Sequence, residues 1–249
     1  MKITFLGTNG WYDTETGNTI CTLIESDKYF IILDAGNGIY KIDRYIKSVN
    51  KKLVYLFISH FHLDHIIGLH ILNKFKFSNG LRVYGPAGTK EILDNIINAP
   101  YTVYFAELPF KVDICELSEG LHRIPFLVEC KPLLHSSTCM GYRFELDDKI
   151  IMYCPDTGFC ENAIELAKNA DLLITECSFK SGQRNPKWPH LNPEDAAQIA
   201  KDANAKKLVL THFDANIYKT SNERKLTESQ AKKIFINSYA AFDNIEVVI

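Results

Sequence analysis

At 249 residues, with 46 % hydrophobic and 23 % charged residues, the chain has the make-up of an ordinary globule and length enough for one large α/β domain. Its net charge of −2, with the basic residues scattered in pairs such as Lys51-Lys52, Lys206-Lys207 and Lys232-Lys233, excludes the basic face that duplex DNA requires. No apolar run is long enough for a signal peptide or a membrane helix, so a cytoplasmic enzyme without a membrane partner is the expectation.

Runs rich in β-branched and aromatic residues predict strands at 3–6, 19–25, 29–33, 53–58, 81–84 and 112–117. Further strands are expected at 121–127, 130–134, 142–146, 150–153, 172–175, 208–210 and 245–248. Helical periodicity marks 38–49, 63–75, 89–98, 160–169, 193–203 and 228–241. The helix at 193 has a clear start, with Asn192 as cap, Pro193 in the first position, and Glu194 and Asp195 in the positive first turn. Two sheets packed face to face with helices outside would hold so many strands in a single domain, 1–249. The cysteines (Cys21, Cys115, Cys130, Cys139, Cys154, Cys160 and Cys177) form no C-x-x-C pair, which argues for buried free thiols rather than a disulfide framework or a zinc ribbon.

Chemistry concentrates directly after the run at 53–58. Ser59-His60-Phe61-His62-Leu63-Asp64-His65 places three imidazoles and a carboxylate in six residues at the end of a core strand. In extended backbone, positions i and i+2 point the same way, so His60 and His62 can grip one cation. Asp64 and His65 follow the turn into a helix and can face a second one. Neutral imidazole and carboxylate are the donors that zinc and similar divalent ions prefer. A polar loop with satisfied histidines is the competing reading, but burying four such groups together without a cation is costly. Two cations need further donors, and His135, Asp156, Glu176 and His212 each stand at the end of a predicted strand, as groups converging on one sheet edge would.

These residues make the chain resemble the metallo-β-lactamase-fold hydrolases, in the branch that contains ribonuclease Z and phosphodiester-cleaving relatives. The resemblance rests on Phe5-Leu6-Gly7-Thr8-Asn9-Gly10, Leu33-Asp34-Ala35-Gly36, the H-x-H-x-D-H signature at 60–65, and His135, Asp156 and His212 in that order. It implies an α/β fold of four layers, an αββα sandwich, with a two-metal site on one edge of the sheets. It further implies that His60, His62 and His135 hold one metal, that Asp64, His65 and His212 hold the other, and that Asp156 bridges them. Asp34 matches a position that orients ligands. Glu176 and His190 match a pair beside the metals, and an imidazole held by a carboxylate can supply the proton that a leaving oxygen needs. The tRNA-clamping arm of ribonuclease Z has no counterpart in 68–134, which favours a smaller substrate. His70 and His122 match nothing and are expected to be structural or solvent-facing.

The expected function is hydrolysis of a small or medium phosphodiester, either a cyclic nucleotide or a nucleic-acid-derived one, by a metal-bridging hydroxide. Asp64, His190 and Glu176 are the expected catalytic side chains, and two divalent ions are the cofactors, zinc first, with manganese or iron compatible with the same donors. Trp11, Tyr12, Phe179 and Trp188 lie in loops near these motifs as candidates to stack a base. The rival readings are an acyl hydrolase for a thioester or lactone, a tRNA 3′-processing endonuclease, and a non-catalytic binding protein on the same scaffold. The partner is a small-molecule or short nucleotide substrate, and a homodimer is compatible with the sequence.

Overall fold

The computed structural model describes residues 1–49 and 51–249. Among the described residues the strands form two seven-stranded sheets and a short two-stranded one. The first sheet runs in the order β16 (Glu246–Val248), β1 (Lys2–Gly7), β3 (Cys21–Glu25), β4 (Tyr29–Leu33), β5 (Leu53–Phe57), β6 (Leu81–Gly85) and β7 (Val112–Glu116). The second runs β15 (Ser238–Ala240), β13 (Leu208–Thr211), β12 (Leu172–Glu176), β11 (Lys149–Cys154), β10 (Met140–Leu146), β9 (Leu127–Pro132) and β8 (Gly120–Arg123). The two-residue strands β2 (Asn9–Gly10) and β14 (Phe213–Asp214) pair in parallel beside them.

Alternation along these strands explains the layering, because successive side chains face opposite sides of a sheet. Phe5, Ile31, Leu33, Tyr55 and Phe57 of the first sheet pack against Val128, Tyr142, Phe144, Ile151 and Ile174 of the second. Phe57 and Phe144 meet edge to face across this interface, with ring centres 4.9 Å apart, and Phe57→Ala would cost about 3–5 kcal/mol. The outer face of the second sheet is covered by α3 (Glu161–Ala167), α4 (Pro193–Asp202) and α5 (Ser221–Lys232). The outer face of the first is covered by α2 (Thr89–Ile96) and by 3-10 helices at Asn37–Arg44 and Ile67–Lys74, the latter following one turn of α1 (Leu63–Ile66). The order helices, sheet, sheet, helices is the expected αββα sandwich.

Several boundaries differ from the sequence expectation. The helix expected over 63–75 is α-helical only for its first turn, and Gly68 then lies so close to the neighbouring backbone that an added Cβ would stand 2.3 Å from the Gly36 carbonyl oxygen. The strand expected over 121–127 is a hairpin, β8 and β9 turning through Ile124-Pro125-Phe126, since proline cannot donate to a ladder. The helix expected over 228–241 starts earlier and stops at Lys232, and 238–240 is instead the edge strand β15 paired with β13. Thr220 caps α5 through a reciprocal capping box with Glu223, a signal present in the sequence. The stretch 68–134 is occupied by β6, α2, β7, β8 and β9. Among the described residues no helix is long and apolar enough to cross a membrane.

Strand direction sets the location of the site. β4 and β5 are parallel neighbours, as are β11, β12 and β13. Asp34, Ser59, Asp156, Glu176 and His212 stand at or just past the carboxyl ends of these strands, so one edge of the sandwich collects them all.

Candidate metal centre

Asp34 anchors the floor of this edge. It is fully buried and has a φ of 54°, a left-handed conformation that aspartate tolerates better than most residues. Its carboxylate accepts from the Ser59 backbone N–H and hydroxyl, both at 2.7 Å, from His65 Nδ1 at 2.8 Å and from the Tyr153 hydroxyl at 2.6 Å. These bonds fix the histidine tautomers by elimination. His65 donates from Nδ1, so in the neutral ring its Nε2 carries the lone pair. The Ser59 hydroxyl gives its proton to Asp34 and accepts from His60 Nδ1 at 3.0 Å, so His60 Nε2 also carries a lone pair. The Ser178 hydroxyl donates to the His212 carbonyl at 3.0 Å and accepts from His212 Nδ1 at 3.1 Å, which leaves His212 Nε2 in the same state.

Those lone pairs converge. His65 Nε2 and His212 Nε2 are 3.0 Å apart, and Asp156 Oδ1 lies 3.3 Å from the first and 3.2 Å from the second. Asp64 Oδ2 is 3.2 Å from His212 Nε2 and 3.7 Å from His65 Nε2, and it accepts from the Trp11 backbone N–H at 2.7 Å. On the other side, Asp156 Oδ2 lies 3.8 Å from both His60 Nε2 and His135 Nε2, and His135 Nε2 is 3.4 Å from His62 Nδ1. The sequence-predicted donors are therefore gathered into two groups, His60, His62, His135 with Asp156, and Asp64, His65 with His212. The two oxygens of Asp156 face different groups.

These donors fit divalent cations on three counts. Donors about 2.0–2.1 Å from one tetrahedral zinc stand about 3.3–3.4 Å from each other, close to the spacings observed. His60 Nε2 and Asp156 Oδ1 are buried without a hydrogen-bond partner, an expensive state for groups facing nothing. With both rings neutral, the Nε2 lone pairs of His65 and His212 at 3.0 Å repel unless a positive charge lies between them.

The surroundings tune the charges. Burial pushes His60 well below the usual histidine range, helped by the neighbouring His65, and burial also lowers His62 and His135. Burial acts the same way on His65, but the nearby Asp156, Asp34 and Asp64 outweigh it and raise its pKa well above that range. For Asp64, burial works against ionisation, yet His65 and the His212 contact hold its carboxyl below the usual range.

Glu176 is the last residue of β12 and is wholly buried. Its Oε1 accepts from the Thr157 backbone N–H at 2.7 Å and from His190 Nδ1 at 2.6 Å, while Oε2 accepts from the Ser178 N–H at 3.0 Å. Burial favours the neutral ring of His190, but the Glu176 carboxylate and its hydrogen bond prevail, and the pKa is pushed up to about 9. A ring nitrogen of His190 lies within 4.8 Å of donor atoms on Asp156 and His212, so His190 stands beside the metal-binding groups.

Sequence reasoning missed Ser59, Tyr153 and Ser178, whose hydroxyls decide ring orientation, and Gly10, where a Cβ would meet the His212 ring at 2.4 Å. Ser59 is the one with a visible signal, standing next to His60 in the motif. His212 itself has a φ of 49°, strain held by the β2–β14 pairing and by Ser178. His70 is exposed and His122 half-buried, each bonded to a local carbonyl, as expected. Cys177 is buried with the core of the second sheet.

A family model described as a beta-lactamase superfamily domain matches residues 29–213. Ribonuclease Z of Bacillus velezensis is 27 % identical over 310 aligned positions, spanning 100 % of this chain and 99 % of the relative. That alignment is longer than the chain, so the relative carries segments absent here. The fold is also that of the metallo-beta-lactamase fold protein YhfI from Bacillus subtilis, with a TM-score of 0.81, 24 % identity and 99 % of each chain covered. The short form of human tRNase Z superposes with a TM-score of 0.77 at 22 % identity, over 100 % of this chain and 99 % of that one.

Proposed function

The chain belongs to the beta-lactamase superfamily, and from that premise we propose that it is a dinuclear metal-dependent hydrolase of small or medium phosphodiesters. His60, His62 and His135 would hold one cation, Asp64, His65 and His212 the other, and Asp156 both. Zinc is the first choice for so histidine-rich a set, with manganese or iron able to use the same nitrogen and oxygen donors. When bound, two such ions supply a hydroxide at neutral pH, by lowering the pKa of water from 15.7 toward ~7, and neutralise charge on phosphoryl oxygens.

The observation that carries the reading is His190 on Glu176. With a pKa of about 9 the ring is protonated at neutral pH, and it lies beside Asp156 and His212 with its Nδ1 anchored at 2.6 Å. It can therefore deliver a proton to an alkoxide-like leaving oxygen, the step that makes unactivated phosphodiesters slow. Glu176 holds the ring and stabilises its charge. Asp64, fixed by the Trp11 N–H, would take the proton of the attacking water. A thioester would not need this acid, because a thiolate leaves unprotonated.

Replacing His190 by Ala tests the assignment. The variant should keep its fold and metals, and its rate on diesters with alkyl or nucleoside leaving groups should fall by roughly 10²–10⁴. Bis(p-nitrophenyl) phosphate, whose leaving group needs little protonation, should suffer far less. Equal losses on both would remove His190 as the acid, and greater turnover of a thioester or lactone by the parent enzyme would remove the phosphodiesterase reading.

A further inference from the structure

A cleft of about 790 Å³ opens above Asp64, Asp156, His190 and His212, and its walls are chemically one-sided. Trp11, Tyr12, Leu63, Ile67 and Trp188 line it. All five are substantially exposed, Trp11 at 65 % and Trp188 at 47 %. Among the described residues that line it there is no lysine or arginine, whereas Asp13, Asp64, Asp156 and Asp214 contribute four carboxylates.

Both indoles are placed by the site itself. Trp188 lies parallel to the His62 ring, with centres 5.7 Å apart and planes 11° from parallel. Its half-exposed state leaves ring surface free for a second flat partner. Trp11 has a φ of 75°, and its N–H donates to Asp64 at 2.7 Å, so a backbone conformation that costs energy is retained where it fixes this residue on a metal-facing carboxylate. Exposed aromatic rings kept at the mouth of a polar site are stacking platforms for flat rings. The charge balance limits what else can enter. The positive charge of two divalent ions would be offset by the four carboxylates, and with His190 committed to the leaving oxygen no lysine or arginine in the wall stands ready for a second phosphate.

Resting on the phosphodiesterase reading, we propose that this cleft selects a singly charged phosphodiester carrying a flat aromatic base on its non-leaving ester, of mononucleoside size, and rejects substrates with additional phosphates. Stacking on Trp11 and Trp188 supplies the affinity, and a wall without lysine or arginine supplies the exclusion.

Two p-nitrophenyl diesters with the same leaving group test this in the metal-loaded enzyme, the thymidine 5′-phosphate ester and the ethyl phosphate ester. The thymidine ester should have the higher kcat/KM by roughly 10- to 100-fold, the usual worth of stacking one base. Adding a 3′-phosphate to it should lower that advantage. In Trp188→Ala and in Trp11→Ala the ratio between the two esters should collapse toward unity, and Trp188→Phe should restore part of it. Equal constants for the two esters in the parent enzyme, or tighter binding of the 3′-phosphorylated ester, would overturn the proposal. Trp11 and Trp188 are the only tryptophans of the chain, so intrinsic fluorescence provides a readout independent of turnover. The adenosine ester of methylphosphonate should quench it saturably, and the methyl ester of the same acid should not. If neither nitrophenyl diester is hydrolysed, the phosphodiesterase reading falls while this titration still decides the stacking site, and identical responses to the two phosphonates would sink it.

Discussion

On one side of Asp156, His60 and His135 face that carboxylate as their only acidic neighbour within 4 Å among the described residues. On the other, His65 faces Asp34, Asp64 and Asp156, and His212 faces Asp64 and Asp156. The pKa directions divide along the same line. His60, His62 and His135 are lowered by burial, whereas the carboxylates around His65 and His212 overcome burial and raise them. One half of the centre is thus a set of neutral imidazoles and the other a set of imidazoles embedded in negative charge. Asp156 belongs to both halves, and Asp34 serves chiefly the second.

This asymmetry predicts unequal damage from two aspartate replacements. Asp156→Ala should be the most severe change, because it removes a donor from both halves and leaves two like charges without the anion between them. Metal content should fall from about two ions per chain to well below one, with activity lost beyond the 10–100-fold typical of an outer hydrogen-bond partner. A metal content equal to that of the parent protein, read by elemental analysis, would end the bridging assignment.

Asp34→Asn should act on one side more than the other. It weakens the bond that orients His65 and disturbs His60 only through the Ser59 hydroxyl. Affinity on the Asp64–His65–His212 side should drop by about 10–100-fold, while the His60–His62–His135 side should retain its ion under mild chelation. Anomalous scattering from each position would distinguish them. Equal depletion of both would mean that Asp34 supports the floor as a whole and not His65 in particular.

The same division explains what the sequence made legible. His60, His62, Asp64 and His65 lie within six residues, so local geometry alone ties them together, and His135, Asp156, Glu176 and His212 follow apolar runs whose ends are easy to locate. The αββα layering follows from alternation along those runs. What stayed hidden depends on approaches between distant segments. Tyr153 reaches Asp34 from the opposite sheet, Ser178 meets His212 only because β12 and β13 are parallel neighbours, and Gly10 sits against His212 through β2 and β14, which are too short to leave a pattern. At the C-terminal end, Ile234, Phe235 and Ala240-Ala241 keep a helix-like spacing beyond Lys232, and pairing with β13 makes 238–240 a strand instead. The cap at Asn192 was readable because its side chain acts three residues away, accepting from the Asp195 N–H at 2.8 Å.

The smallest effect expected is a displacement along the pH axis, and it asks whether the His190–Glu176 pair works apart from both halves. His190 is raised to about 9 and, as the proposed acid, could donate only while protonated. The rate on diesters with poor leaving groups should therefore be level up to about pH 9 and decline above it, whereas nitrophenyl esters should show little of this decline. Glu176→Gln removes the charge that holds the proton, so the decline should move to lower pH, toward the ordinary histidine range near 6.5. The same raised pKa means that the pair favours the folded state most at pH values below that range, and the contribution is lost as pH rises through about 9. Metal content of the Glu176→Gln enzyme should match that of the parent. A decline left in place in this variant would assign it to water or a metal ligand and would separate His190 from the acid step.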